Sequence, residues 1–179
     1  MGDGPPPCLS EVLEVRRVSA RDLGVAVDIL EEAAAWVDAR GEDGWAPGSL
    51  RDEAGHGRMV LREALDAGEL FLAWMAGRAV GTVTLQPADA VYWPDAVPLA
   101  DARYVHRLAV RRDASGLGIG RALLRWSEDQ TAVSLRPFVR LDCPARSPFL
   151  RAYCVAAGYG YRGDVTVGGF RASLFEKAV

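Results

Sequence analysis

The chain has 179 residues, half of them hydrophobic and a quarter charged, which suits one globular domain with one substantial core. Its 21 basic and 24 acidic side chains leave a net charge of −3, against the basic surface that nucleic-acid binding needs. No apolar run approaches the ~20 residues that span a bilayer. Three cysteines (Cys8, Cys143, Cys154) and two histidines (His56, His106) fit neither a disulfide framework nor a zinc spacing, so neither a metal nor a membrane partner is expected.

Residues 1–10, with Pro5-Pro6-Pro7, read as a disordered tail lacking the basic and apolar regions of a secretory signal, which points to the cytoplasm. Residues 11–179 read as one domain. Leu13 to Val18 is the first strand. Ser19 caps a helix over 21–39, with Asp22 in its first turn and Leu23, Ala26, Leu30, Ala33 and Val37 on its buried face. Gly41 ends it. A second helical region opens at Ser49 and carries Val60, Leu61, Ala64 and Leu65; Gly55 and Gly57 predict a break in its first half.

Leu70 to Met75 and Ala79 to Leu85 are strands around Ala76-Gly77-Arg78, a hairpin signal. A long proline-broken connection, Gln86 to Ala102, follows, of a length that is uncommon without a functional reason. The next strand, Arg103 to Val110, runs into Ser115-Gly116-Leu117-Gly118-Ile119-Gly120. Three alternate glycines at a strand-to-helix turn expose backbone N–H groups at the positive end of a helix, an anion site that suits a phosphate or pyrophosphate. No Walker A run exists, and the Gly-x-Gly-x-x-Gly register fails from both Gly116 and Gly118, whose third glycine falls on Arg121 and Leu123. Ile119, Ala122, Leu123 and Trp126 mark the core face of the helix after the loop. Phe138 to Asp142 is a further strand. Ser147-Pro148 are N-cap and N1 of a short helix with the apolar face Phe149, Leu150, Tyr153 and Ala157, ended by Gly158. Tyr161 to Val167 and Phe170 to Glu176 form a last hairpin across Gly168-Gly169. The order is β-α-α-β-β-β-α-β-α-β-β.

The glycine loop, the strand Val105-His106-Arg107-Leu108-Ala109-Val110 before it and this element order resemble the GNAT N-acetyltransferase superfamily over about residues 13–177. The family loop reads Arg/Gln-x-x-Gly-x-Gly/Ala; Ser115 replaces its first residue. The resemblance implies an α+β domain whose mixed, mostly antiparallel sheet splays between the fourth and fifth strands and is flanked by about four helices. It also implies acetyl-CoA as cofactor. The pyrophosphate would rest on Ser115, Gly116, Leu117, Gly118, Ile119, Gly120 and Arg121. The pantetheine arm would run along Leu108, Ala109 and Val110 and reach Ser147, where the family often has Asn; the helix-cap role explains Ser147 equally well.

Acetyl transfer to an amine needs a base, an oxyanion donor and a tolerated thiolate. The resemblance offers the backbone N–H of Val110, or its neighbour, as the donor. His106 is the candidate base, with an unperturbed pKa of ~6.5. Strand alternation puts it on one face with Tyr104, Leu108 and Val110. In the serotonin N-acetyltransferase branch, histidines stand at the positions of Tyr104 and His106. A half-buried structural histidine is the competing reading, with Asp95, Tyr92, Glu69 or a water relay as other bases. The family's acid tyrosine stands four residues before a glycine, a place held here by Cys154. Tyr153 precedes it, and one helical step turns it elsewhere. Three readings stay open: Cys154 protonates the leaving thiolate, no acid is needed, or the domain binds or senses acyl-CoA without turnover.

The acceptor walls are expected from Trp36 to Trp45 and from Tyr92-Trp93-Pro94-Asp95, with Tyr104 beside them. Asp38, Glu42, Asp43, Asp89 and Asp95 suit a cationic amine on a small molecule or peptide. Longer acyl groups or an oxygen acceptor are a lesser alternative, and the chain is expected as a monomer or homodimer.

Overall fold

The computed structural model describes residues 13–94 and 98–179; the expected tail and Asp95 lie outside them. In chain order the elements are β1 (Leu13–Arg17), α1 (Leu23–Asp38), α2 (His56–Asp66), β2 (Leu70–Met75), β3 (Arg78–Gln86), β4 (Ala102–Val110), α3 (Ile119–Val133), β5 (Phe138–Pro144), α4 (Pro148–Ala156), β6 (Gly160–Val167) and β7 (Phe170–Ala178). The seven strands form one sheet in the order β1-β2-β3-β4-β5-β7-β6, antiparallel except for the parallel pair β4–β5. This is the α+β architecture that the element order predicts.

Local chemistry explains most boundaries. The β2–β3 hairpin turns on Ala76 and Gly77, both at positive φ (49° and 76°), the conformation that matches the twist of the flanking strands. Gly168 and Gly169 do the same between β6 and β7, at 56° and 86°. Ser19 does not cap α1. Its hydroxyl bonds Asp22 at 2.6 Å in a turn before the helix, and Asp22 takes the N-cap place. The expected break at Gly55 is real, since α2 starts only at His56. The loop before α2 is fastened by Glu31, a buried carboxylate on α1 that accepts from the Gly48 and Leu50 amides at 2.6 and 2.8 Å.

Helices cover both faces. On one, α1 and α2 bury Leu30, Leu61 and Ala26 against Leu70, Leu72 and Ala109. On the other, α3 and α4 bury Ile119, Leu123 and Cys154 against Val80, Val105, Leu141 and Cys143. Each fully buried leucine contributes roughly 1.5–3 kcal/mol, so the packing of the helices fixes the sheet between them. Phe149, expected on the buried face of α4, is exposed.

Two irregularities shape the middle of the sheet. The β3–β4 register steps from Thr84↔His106 to Thr82↔Ala109, so Arg107 and Leu108 together oppose one residue of β3. Arg107 holds φ at 49°, a β-bulge that reverses the strand's phase. The expected alternation is therefore wrong beyond His106: Leu108 and Val110 pack with Val105 toward α3 and α4, whereas Ala109 joins the α1–α2 core. The second irregularity is the end of the parallel ladder at Val105↔Leu141. Beyond it β4 continues to Val110 and β5 to Pro144 with no pairing between them among the described residues.

Gly81 on β3 lets α3 settle on the sheet. A Cβ there would stand 3.1 Å from both the Ala109 carbonyl oxygen and Leu123 Cδ1. Gly81→Ala is expected to cost about 1–3 kcal/mol by overpacking, read as a lower thermal midpoint; an unchanged midpoint would show that α3 is free to shift.

Candidate active site

The turn between β4 and α3 carries the candidate anion site. Gly116 and Gly118 both adopt positive φ, 84° and 79°, so L side chains are disfavoured there. Gly118 is the N-cap of α3, and the first intrahelical bond runs from the Ala122 amide to its carbonyl at 3.0 Å. The amides of Ile119, Gly120 and Arg121 precede that first bond and are left over at the helix's positive end, with no acidic residue in the first turn. Ser115 to Gly118 are exposed, so an anion has open access.

His106 sits where β4 and β5 part. Its Nε2 is 3.4 Å from Asp89 Oδ2 and its Nδ1 3.6 Å from Asp142 Oδ1, so one imidazole is bracketed by two carboxylates. Asp89 comes from the long connection, where its other oxygen caps the Val91 and Tyr92 amides at 3.1 and 3.0 Å. Asp142 comes from β5, and its alternation with Leu141 and Cys143 turns it away from the α3–α4 core. Asp89 Oδ2 and His106 Nε2 are both buried and face each other directly, with no other polar side chain on either atom among the described residues. Burial pushes the His106 pKa down to about 4, against the pull of Asp89 and aided by Arg107. Burial also pushes Asp142 up to about 7; Asp89 adds to that and Arg107 opposes it. Near neutral pH the imidazole is therefore uncharged and Asp142 is poised to take or give a proton. The three residues offer ligand atoms within 4.8 Å of one another. The imidazole presents a different nitrogen to each carboxylate, which suits a line of proton transfer better than a shared metal ion.

Cys154 lies in the α3–α4 core, 6 % exposed, beside the equally buried Cys143. The Cys143 thiol hydrogen-bonds it, which pushes the Cys143 pKa up and draws that of Cys154 down. Tyr153, expected to point elsewhere, is the α4 side chain that reaches the loop. A Cβ on Gly120 would lie 2.6 Å from its hydroxyl and 3.8 Å from Leu108. The Arg121 guanidinium lies over its ring at 5.4 Å. Ser147 performs the expected cap, accepting from the Leu150 amide at 3.3 Å, and it donates to Glu42 at 2.7 Å.

The expected acceptor walls divide. Tyr92 is half-buried with its ring 6.5 Å from His106 and 6.5 Å from Phe170. Trp36 meets Phe149 edge-on at 6.5 Å, under the guanidinium of Arg112 at 4.1 Å. Trp45 is exposed. Tyr104 and Trp93 are buried in a satellite cluster with Ala102, 0 % and 6 % exposed, and Trp93 keeps an edge on a surface recess beside Tyr92 and Pro94. The Tyr104 hydroxyl is spent on the Leu99 carbonyl and on Arg140, at 3.1 and 2.8 Å. Tyr104, fully buried, can touch an acceptor only if that cluster opens.

The family model described as an acetyltransferase (GNAT) domain matches residues 66–152. The N-acetyltransferase YesJ of Bacillus subtilis, itself uncharacterized, is 30 % identical over 155 residues, covering 84 % of this chain and 82 % of that one. The chain is a GNAT N-acetyltransferase. A GNAT acetyltransferase structure from Listeria monocytogenes superposes with a TM-score of 0.72 at 25 % identity, covering 93 % of this chain and 95 % of that one. The PaiA N-acetyltransferase of Thermoplasma acidophilum, solved with coenzyme A, shares the GNAT fold with a TM-score of 0.72 at 17 % identity, over 93 % and 99 % of the two chains. No helix among the described residues is long and apolar enough to cross a membrane. Sequence reasoning missed Asp142 in this GNAT site. The available signal was its place with Arg140 as the polar residues of a strand that otherwise alternates Val139, Leu141 and Cys143.

The raised Asp142 pKa has a consequence for stability. Unfolded Asp titrates near 3.9, so between about pH 4 and 7 the folded state binds the extra proton and loses stability as pH rises. Asp142→Asn lacks this loss. Thermal melts are expected to show the variant's midpoint gaining on the wild type from pH 5 to pH 8; a constant difference would contradict the assignment.

Proposed function

We propose that this N-acetyltransferase takes its acetyl group from acetyl-CoA and transfers it directly to a primary amine of a small molecule or peptide in a ternary complex. The observation that carries the reading is the parting of β4 and β5 beyond Val105↔Leu141, with the amide-bearing loop beyond one end and His106 at the apex. The coenzyme's diphosphate is assigned to the loop Ser115 to Arg121, through the amides after Ser115, whose own N–H donates to the Arg112 carbonyl at 3.2 Å. Its pantetheine arm is assigned to the edge of β4 that β5 leaves free, Leu108 to Val110, whose other edge stays paired with β3 through Ala109 and Val110, and to Ser147. The thioester then comes to rest beside residues 106–110. That the structurally similar PaiA enzyme was solved in complex with coenzyme A supports coenzyme A as the cofactor.

The amine arrives as an ammonium and must lose a proton. The proton reaches the buried His106 through Asp89, which faces Nε2, and Asp142 at Nδ1 takes the proton that the imidazole gives up in turn. The freed lone pair forms the new C–N bond, and the carbonyl electrons move to the oxygen. The N–H of Val110 or its neighbour stabilises that oxyanion. The carbonyl reforms as the C–S bond breaks, and its electron pair leaves with the sulfur. A thiol pKa of ~8.5 makes that departure tolerable without an acid, so Cys154 serves as a core side chain. Tyr153, at Gly120, orients the coenzyme.

Thiol release from acetyl-CoA with a panel of amines, polyamines, aminoglycosides and peptides tests the activity. His106→Gln is expected to lower kcat by about 100-fold or more with little change in coenzyme A affinity; an unchanged kcat removes His106 from the mechanism. Cys154→Ala is expected to lower the thermal midpoint and leave kcat within about threefold, the signature of a packing residue; a collapse of kcat in a folded variant would restore it as the acid. Gly118→Glu puts bulk and negative charge at the diphosphate site, and titration calorimetry should then detect no coenzyme A binding.

A further inference from the structure

A second cleft of about 490 Å³ opens at the end of β5. Asp43 from the loop after α1, Arg146 before α4, Arg151 on α4, Asp164 on β6, and Phe170 and Arg171 at the start of β7 line it. Its charges are unequally engaged. Asp164 is saturated, accepting from Tyr161 at 2.8 Å and Ser173 at 2.6 Å and pairing with Arg171 at 2.9 Å. Arg146 stands 4.0 Å from Asp43 with its side chain 84 % exposed, so that pair is loose. Arg151 donates to neutral groups, Ser173 Oγ at 3.0 Å and the Ala145 carbonyl at 3.5 Å, and has no ion pair among the described residues. Three guanidiniums against two carboxylates, one carboxylate already saturated, leave the cleft net positive.

The cleft adjoins the acetyl-transfer site and not the diphosphate loop. Arg151 and Tyr153 are two residues apart on α4, about 200° around the helix. Tyr153 faces Gly120, whereas Arg151 faces β6 and β7. Phe170 on the cleft wall is 6.5 Å from Tyr92, which is 6.5 Å from His106. Two successive ring contacts thus link Phe170 on the arginine-lined cleft to His106, whose Nε2 faces the buried Asp89 Oδ2. One end attracts an anion and the other a cation.

We propose that the acceptor is a dipolar amine, with its ammonium directed at Asp89 and His106 and an oxyacid group, carboxylate or phosphate, held by Arg146, Arg151 and Arg171. This rests on the acetyl-transfer reading above and narrows its substrate to amino acids and amino phosphates, excluding polyamines. Guanidinium forks match both oxyacids bidentately, so either fits the recognition.

Matched substrates test the proposal. Amino carboxylates from glycine to 6-aminohexanoate are compared with their primary amides, and O-phosphoethanolamine and its longer homologues with the parent amino alcohols, by thiol release. At least one anionic member is expected to exceed its neutral partner at least tenfold in kcat/KM, and the carboxylate and phosphate arms identify the oxyacid. In the double variant Arg146→Glu, Arg171→Glu, both at exposed positions, that preference should fall at least tenfold through the amine's KM. Equal or reversed preference in the wild type overturns the proposal while leaving amine acetylation standing. A rise in KM for acetyl-CoA in place of that for the amine also overturns it, because the arginines then serve the coenzyme. If no amine is turned over, the acetyl-transfer reading fails by itself. Calorimetric titration of the coenzyme A complex with the same anionic amines then decides the cleft: heat lost in the double variant supports the proposal, and no heat in the wild type overturns it.

Discussion

The arrangement depends on one interrupted ladder. Parallel strands β4 and β5 pair from Ala102↔Phe138 to Val105↔Leu141 and then part, although both continue. Backbone groups left unpaired in a protein interior need another partner, and the parting frees the β5-facing edge of β4 while its other edge stays paired with β3 as far as Gly81↔Val110. The divergence is held from both sides. The bulge at Arg107 turns β4 just as it leaves its neighbour, and β5 stays tied to β7 as far as Pro144↔Ala172. The long polypeptide before β4 then brings Asp89 to the apex. A cleft is therefore a product of strand pairing, and the helices on each face keep it from closing.

The polar apex sits uneasily in this frame. Two carboxylates, an imidazole and a guanidinium share a nearly dry space, and burial weakens the charged state of His106, Asp142 and Arg107 alike. Such a set is poor material for stability, since burial resists the charge on His106, Asp142 and Arg107. It is good material for moving a proton, because the energetic difference between its protonation states is small near neutral pH. Stability is supplied elsewhere, by the aliphatic layers under α1, α2 and α3.

Much of this was legible in the residues. Hairpin glycines, the glycine loop and the periodic faces of α1 and α3 are local signals, and local geometry obeyed them. The unreadable parts are tertiary. Nothing in Val105-His106-Arg107-Leu108 announces a bulge, so simple alternation put Leu108 and Val110 on the wrong face. Asp89 and Asp142 are far apart in the chain, and only sheet topology makes them partners of His106. Tyr153 and Cys154 show what matching by position leaves open. Matching by position marked Cys154 as the chemical group, yet the twist of α4 presents Tyr153 to the loop and hides the thiol. Tyr104 and Trp93 looked like loop-side aromatics and became core because Arg140 reaches under both, 5.7 and 5.1 Å from their rings.

The serine that starts α4 ties distant parts together. Its oxygen accepts from the Leu150 amide, while its lone proton goes to Glu42, on the segment after α1. A hydroxyl has one hydrogen to give. A carbonyl of an incoming pantetheine chain that seeks this hydrogen must evict the glutamate, and the segment carrying Glu42 and Asp43 is thereby released from its anchor. On the coenzyme path proposed above, cofactor and far wall compete for a single proton, with Arg40 still 3.4 Å from Glu42.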